Sequence, residues 1–173
     1  MKIILSGYMG SGKTAVGTLL AKKMSFRFLD LDHEISRREG RSISEIFKSS
    51  GEIYFRRKET EILKDLLNSP EDFVLALGGG TPCYGKNVEL LKQDPGSTLI
   101  YLKASLMELK ERLFKERDKR PLIAHLDSPE ALEDFIRKHL FERTFYYNQS
   151  DQIIGTDGKT AEAVAEEVLK CLN

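Results

Sequence analysis

The stretch LSGYMGSGKTAV, residues 5–16, decides how the rest of the chain is read. Gly7-Tyr8-Met9-Gly10-Ser11-Gly12-Lys13-Thr14 matches G-x-x-x-x-G-K-[ST] at every fixed position. An apolar run precedes it and a helical stretch from Thr14 to Lys23 follows, which is the context such a loop needs. The glycines let backbone amides turn inward to form an anion nest that side chains would block. The helix start adds free N–H groups and the positive end of its dipole. Lys13 supplies a point charge to the β- and γ-phosphates, and the Thr14 hydroxyl suits Mg²⁺. A glycine turn built for packing alone has no use for Gly-Lys-Thr at this spacing. The run is a phosphate cradle. A second GKT, Gly158-Lys159-Thr160, has Ile153 where the first glycine would stand, so it is not another cradle. It does put a cation, Lys159, beside the loop after the last expected strand.

Outward from the cradle, short apolar runs alternate with amphipathic stretches, the pattern of a parallel sheet wrapped by helices. The runs are Lys2–Ser6, Phe26–Asp30, Phe73–Leu77, Thr98–Leu102 and Gln152–Gly155. Ser42…Glu45, Ser49…Glu52 and Ser105…Glu108 have capping-box spacing, and Ser128-Pro129 reads as an N-cap with proline at the first helical position. Gly40 and Asn68-Ser69-Pro70 read as helix stops. The charged segment KERDKRPLIAHLDSPE, residues 115–130, breaks the rhythm and reads as either a solvated loop or a mobile lid.

At 173 residues the chain suits one domain, and its 27 basic and 27 acidic residues balance. Zero net charge gives no reason to expect a nucleic-acid or membrane-surface partner. No apolar stretch could cross a bilayer, and the first residues run straight into the cradle, so no cleaved leader is expected. Cys83 and Cys171 have no metal-like spacing and suit free thiols in a reducing cytosol. His33, His125 and His139 lie singly in polar segments and read as solvated surface residues without a metal role.

The cradle alone leaves a GTP switch, a motor ATPase and a small-molecule kinase open. No D-x-x-G occurs, and Asn148-Gln149-Ser150-Asp151 lacks the lysine of a guanine reader. The Phe73–Leu77 run ends in Gly78-Gly79-Gly80 where a motor would place a carboxylate. Bare backbone at a strand's carboxyl end lets a ligand approach closely. The second run ends in FLDLDHEI, whose Asp30 and Asp32 fall on one side of an extended chain. One could help hold hydrated Mg²⁺ and the other accept a proton, while Asp32 also suits the N-cap of a helix starting at His33. In GEIYFRRKE, Arg56 and Arg57 face different directions on a helix, so at most one enters a site.

Taken in order, GYMGSGKT, FLDLDHEI, GRSISEIF, GE…FRRKE, LALGGGTP, RPL and ERTFYY make the chain resemble the shikimate kinases nearly end to end. The resemblance implies an α/β P-loop kinase fold with three layers and a five-stranded parallel sheet of order 2-3-1-4-5. It implies a single domain over 1–173, with a substrate-binding region about 31–60 and a lid about 112–125. The implied activity is ATP-dependent phosphorylation of the shikimate 3-hydroxyl, with ATP as co-substrate and Mg²⁺ as cofactor; the alternatives are a gluconate kinase, a nucleoside monophosphate kinase or a non-catalytic nucleotide-binding module. Zero net charge and the free thiols are compatible with a cytoplasmic monomer. Carried onto this chain, Gly10, Ser11, Gly12, Lys13, Thr14 and Ala15 would hold ATP. Thr14, and Asp30 through water, would organise the metal. Asp32 would hold the reacting hydroxyl and act as its base. Arg56 and Arg143 would grip the carboxylate, Gly79 and Gly80 would bond the substrate through backbone, and Phe47 and Phe55 would wall its ring. Arg120 would descend with the lid onto the phosphates. Lys159 stands where the family often has an adenine-loop arginine, and keeps the charge without the planar stacking surface.

Overall fold

The computed structural model describes residues 1–172. Strands β1 (Lys2–Ser6), β2 (Arg27–Asp30), β3 (Phe73–Ala76), β4 (Ser97–Lys103) and β5 (Gln152–Gly155) pair in parallel in the order β2-β3-β1-β4-β5. This is the expected sheet. Helices α1 (Lys13–Met24), α2 (Leu31–Glu39), α3 (Ile43–Leu67), α4 (Asn87–Gln93), α5 (Leu106–Glu116), α6 (Pro129–Tyr147) and α7 (Ala161–Leu172) connect and flank the strands.

The strands read as continuous apolar runs because both faces of the sheet are covered. Alternation within β1 divides them: Ile4 joins Leu75, Ile35, Ile46 and Leu63 on one face, while Ile3 and Leu5 join Val74, Leu20, Val164 and Val168 on the other. A third cluster gathers Tyr8, Tyr101, Leu109, Leu113, Ile123, Ile136 and Tyr147 around α5 and α6. Ile123 is fully buried in it, so the charged 115–130 stretch is pinned at that point. Residues 112–116 belong to α5, and a 3-10 turn over Arg117–Lys119 follows.

Register positions the site. β1 pairs with β3 so that Leu5 lies opposite Ala76, and the Leu77 amide donates to the Leu5 carbonyl at 3.0 Å. The loops that leave β1 and β3 therefore start side by side. β2 joins the same edge, with Asp30 opposite Ala76.

Most helix signals are used as read. Ser42 and Glu45 form a full capping box, Ser128 accepts from the Ala131 amide ahead of Pro129, and Gly40 ends α2 at a φ of 66°. Ser105 accepts from the Glu108 amide, but the Glu108 carboxylate turns to Arg112, leaving half a box. Two expectations are corrected. Ser49 and Glu52 form no cap: the Ser49 hydroxyl donates to the Glu45 carbonyl one turn back, and the chain breaks at Gly51, with φ 81°. Asp32 is not the cap of α2; Asp30 accepts from the His33 amide and Asp32 lies in the first turn. The strand ends at Asp30, so strand alternation does not relate the two aspartates.

Candidate active site

Gly10 and Gly12 take φ values of 82° and 97°, conformations that side chains resist, and Gly12 opens α1 with no side-chain cap. The first amides of α1 are thus left for an anion. Lys13 Nζ donates to the Gly7 and Tyr8 carbonyls at 2.7 and 3.0 Å, closing the loop on itself. Burial pushes the Lys13 ammonium down to about 8, with Asp32 and Asp30 opposing the fall. An arriving phosphate would reverse that desolvation penalty.

A cavity of about 1050 Å³ spreads over this loop and includes Lys13, Thr14, Asp30, Asp32, Gly79 and Arg120 in its walls. A second, of about 380 Å³, adjoins it and is bordered by Phe47, Phe55, Arg56, His139 and Arg143. Asp32, Gly78, Gly79 and Arg120 border both, so the two spaces meet there. One cleft has a phosphate end and an acceptor end. Asp32 stands at the junction. Burial, then the charges of Asp30 and Glu59, push its carboxyl up to about 6, well placed for a base working near neutrality.

The acceptor end is built from cations held by their surroundings. Arg56 Nη1 pairs with Glu59 at 2.8 Å, and its guanidinium lies 5.2 and 5.7 Å from the Phe55 and Tyr84 ring centroids. Glu59 is fully buried and also accepts from the Thr81 hydroxyl at 2.6 Å. Arg57 turns away, over Tyr54, so one arginine of the pair enters the site. Arg143 lies over the Tyr8 ring, 5.6 Å from its centroid, with no carboxylate in ion-pair range among the described residues. A half-buried cation without a counter-ion is a seat for an anionic ligand group. Phe47 and Phe55 stack at 4.7 Å beside it, as an apolar wall.

Gly78, Gly79 and Gly80 are needed for space, since none of them has a positive φ. An added Cβ would stand 3.1 Å from Asp32 Oδ1 at Gly78, 3.2 Å from Arg143 Nη1 at Gly79, and 2.6 Å from Arg56 Nη2 at Gly80. Each glycine lies against one acceptor-end side chain. A methyl at Gly80 would meet a guanidinium that Glu59 and two rings hold in place.

Two expected residues sit differently from the rest. Arg120 borders both ends of the cleft but pairs with Glu116 at 2.8 Å, turned back along its own segment. Lys159 pairs with Glu167 at 2.8 Å and is outside the cavity wall; Arg112 lines it instead, donating to the Gly10 carbonyl at 3.1 Å. His139 corrects the surface reading: its Nδ1 meets the Tyr8 hydroxyl at 2.8 Å, and burial, then Arg143, lower its pKa. Its spacing from Arg143, one helical turn, was the available signal. Glu59 carried a similar signal, three residues beyond Arg56. His33 and His125 are exposed as read.

The residues at the phosphate end fit Mg²⁺. Thr14 and Asp30 border it, and no cluster of three or more His, Cys, Asp or Glu side chains able to hold a metal occurs among the described residues. An ion that keeps its waters and leans on substrate phosphates suits so sparse a donor set.

The family model described as shikimate kinase matches residues 9–173. The chain belongs to the shikimate kinase family. It is 46% identical over 171 residues to a shikimate kinase of Flavobacterium psychrophilum, covering 99% of this chain and 98% of the relative. A solved shikimate kinase from Bacteroides thetaiotaomicron superposes with a TM-score of 0.90 at 30% identity, over 99% of this chain and 98% of that one. A shikimate kinase from Acinetobacter baumannii in complex with shikimate gives 0.86 at 35% identity, over 99% and 92%. The protein is thus an ATP-dependent small-molecule kinase.

Two outcomes follow from the geometry of this kinase. Gly80→Ala should raise the shikimate KM about tenfold and lower the thermal midpoint by a few degrees, because the methyl pushes on Arg56 and disturbs its pair with the buried Glu59. Steady-state kinetics and a melting curve read both. The second concerns Asp32. Its carboxyl rises from 3.8 to about 6, so the folded protein binds that proton more tightly and loses stability as pH climbs through this window. Asp32→Asn should therefore raise the melting midpoint at pH 7.5, with the advantage shrinking toward pH 4. An equal effect at both pH values would show that the shifted carboxyl is not its source.

Proposed function

We propose that this kinase transfers the γ-phosphoryl of ATP to the 3-hydroxyl of shikimate with Asp32 as the group that orients and deprotonates that hydroxyl. The observation that carries the reading is the junction: Asp32 borders both ends of one cleft, with Lys13 toward the donor and two arginines toward the acceptor. Phosphoryl transfer asks a protein for alignment and charge neutralisation more than for covalent chemistry. The amides of Gly10, Ser11, Gly12, Lys13, Thr14 and Ala15 cradle the phosphates, and the Lys13 charge fixes the β- and γ-oxygens. Thr14, and Asp30 through water, would hold Mg²⁺, which neutralises phosphate charge when bound.

At the other end Arg56 and Arg143 grip the shikimate carboxylate, Phe47 and Phe55 flank its ring, and the Gly79 and Gly80 backbone bonds its polar groups. That anchorage turns the 3-hydroxyl toward Asp32, which takes its proton as the oxygen attacks in line. Residues about 112–125 act as a lid within a single kinase domain whose acceptor region spans about 31–60, its moving part lying between the end of α5 at Glu116 and the buried Ile123. Its closure would draw Arg120 from Glu116 onto the transferring phosphoryl and exclude water that would otherwise hydrolyse ATP. Lys159 is assigned to the neighbourhood of adenine by its place after β5; its pairing with Glu167 would have to open for contact. The protein is assigned as a cytoplasmic monomer working on small molecules; its formal charge balances at zero, and no helix among the described residues is long and apolar enough to cross a membrane.

The test is ADP release from Mg·ATP with shikimate, gluconate, AMP or no acceptor. Turnover with shikimate alone is expected. Arg120→Ala should cut kcat about a hundredfold with the shikimate Kd little changed, as loss of a transition-state cation does. Equal turnover with gluconate or AMP would contradict the acceptor assignment, and an unchanged kcat would remove Arg120 from the chemistry.

A further inference from the structure

The carbonyls of the triple-glycine turn are all taken. Gly78 O accepts from the Thr81 amide at 3.1 Å, Gly80 O from the Cys83 amide at 3.0 Å, and Gly79 O from the Tyr147 hydroxyl at 2.5 Å. The amides of the same three residues find no acceptor among the described residues. The turn therefore keeps its acceptors for the protein and leaves its donors for a ligand.

Two of the three carbonyl bonds are made by the turn's own backbone. Only Tyr147 comes from elsewhere, at the end of α6, one helical turn beyond Arg143. The bond matters because the Gly79–Gly80 peptide has no side chain on either flank to resist rotation. In a trans peptide the C=O and the following N–H point to opposite sides. A hydroxyl that holds Gly79 O on the α6 side turns the Gly80 N–H the other way. Tyr147 is itself fixed: it is fully buried, and its ring lies 4.9 Å from that of Tyr101. Burial pushes its pKa up, so the hydroxyl keeps the proton it donates.

We propose that Tyr147 is a positioning residue for the acceptor: its hydroxyl sets the orientation of the Gly79–Gly80 peptide and so aims the free Gly80 amide at shikimate. This rests on reading the acceptor end of the cleft as the shikimate seat. Tyr147 acts through Gly79, whose carbonyl it holds, with the Arg143 guanidinium beside the same hydroxyl. Because Arg143 rides on the same helix, one rigid element places both the carboxylate grip and the backbone donors.

The test uses Tyr147→Phe in the full chain, which removes one oxygen and keeps the buried ring, beside Tyr101→Phe, which removes the hydroxyl of its stacking partner. Shikimate and ATP are varied separately. For Tyr147→Phe, kcat/KM for shikimate should fall about tenfold, mostly through KM, the scale of one well-placed hydrogen bond. The ATP KM should stay within about twofold, as should both constants for Tyr101→Phe. A shikimate kcat/KM within twofold of wild type for Tyr147→Phe, or an equal loss in Tyr101→Phe, would overturn the proposal. A second readout needs no variant. Shikimate should shift the Gly80 amide resonance of the wild-type protein and slow its hydrogen exchange, and an unmoved resonance would count against the aimed donor. If the wild type turns over another acceptor and not shikimate, the seat itself has been misread, and that is visible before any variant is compared.

Discussion

The pairing of β1 with β3 is the constraint on which the site depends. Leu5 opposite Ala76, continued by the Leu77-to-Leu5 hydrogen bond, makes the phosphate loop and the triple glycine leave the sheet as neighbours. A one-residue slip would turn Ile3, Ile4 and Leu5 to the wrong faces of the sheet. The two face clusters thus enforce the register, and the register sets the distance between donor and acceptor. The core is in this sense part of the catalytic geometry.

Around that edge the charges are arranged against their own comfort. Lys13 is pushed down to about 8 and Asp32 up to about 6, each first by burial. Arg143 has no counter-ion among the described residues, while Arg56 is held by the buried Glu59. On the proposed reading, such a site is a reservoir of unfavourable electrostatics that its ligands would relieve: phosphate for Lys13, a carboxylate for Arg143. Functional sites are where a sequence departs from what would stabilise the fold alone. The aromatic floor beneath these groups, Tyr8, Tyr101 and Tyr147, supplies the rigidity that lets the charges stay in place.

The phosphate-loop motif and the sheet were legible because each is a local pattern with its own physical requirement. Gly7 to Thr14 carries its whole function in eight consecutive residues, and the strands announce themselves as apolar runs. The capping of α2 was misassigned because FLDLDHEI offers two aspartates to one helix start, and only the end of the β2 pairing decides between them. The Ser49 cap failed for a similar reason: the Ser49 hydroxyl prefers the preceding turn, and the helix breaks at Gly51. Tyr147 was out of reach because its partner lies 68 residues away; Glu59 and His139 had local spacings to Arg56 and Arg143, but their bonds to Thr81 and Tyr8 span 22 and 131 residues. A hydrogen bond across such separations leaves no spacing to read. The triple glycine could be read as bare backbone open to a close neighbour, but that Asp32, Arg143 and Arg56 crowd its three positions is a property of the packed fold.

The central claim is that a carboxylate, seated between Arg56 and Arg143, aligns the acceptor with Asp32. Calorimetric titration of the Mg·ADP-loaded protein with shikimate and with its methyl ester isolates that contact, since the ester keeps the ring and hydroxyls and removes the charge. The account predicts that the ester binds at least about a hundredfold more weakly, because two guanidinium groups lose their anionic partner. Equal affinity for the two would mean that the arginines do not hold the carboxylate, and the orientation of the acceptor would need another source.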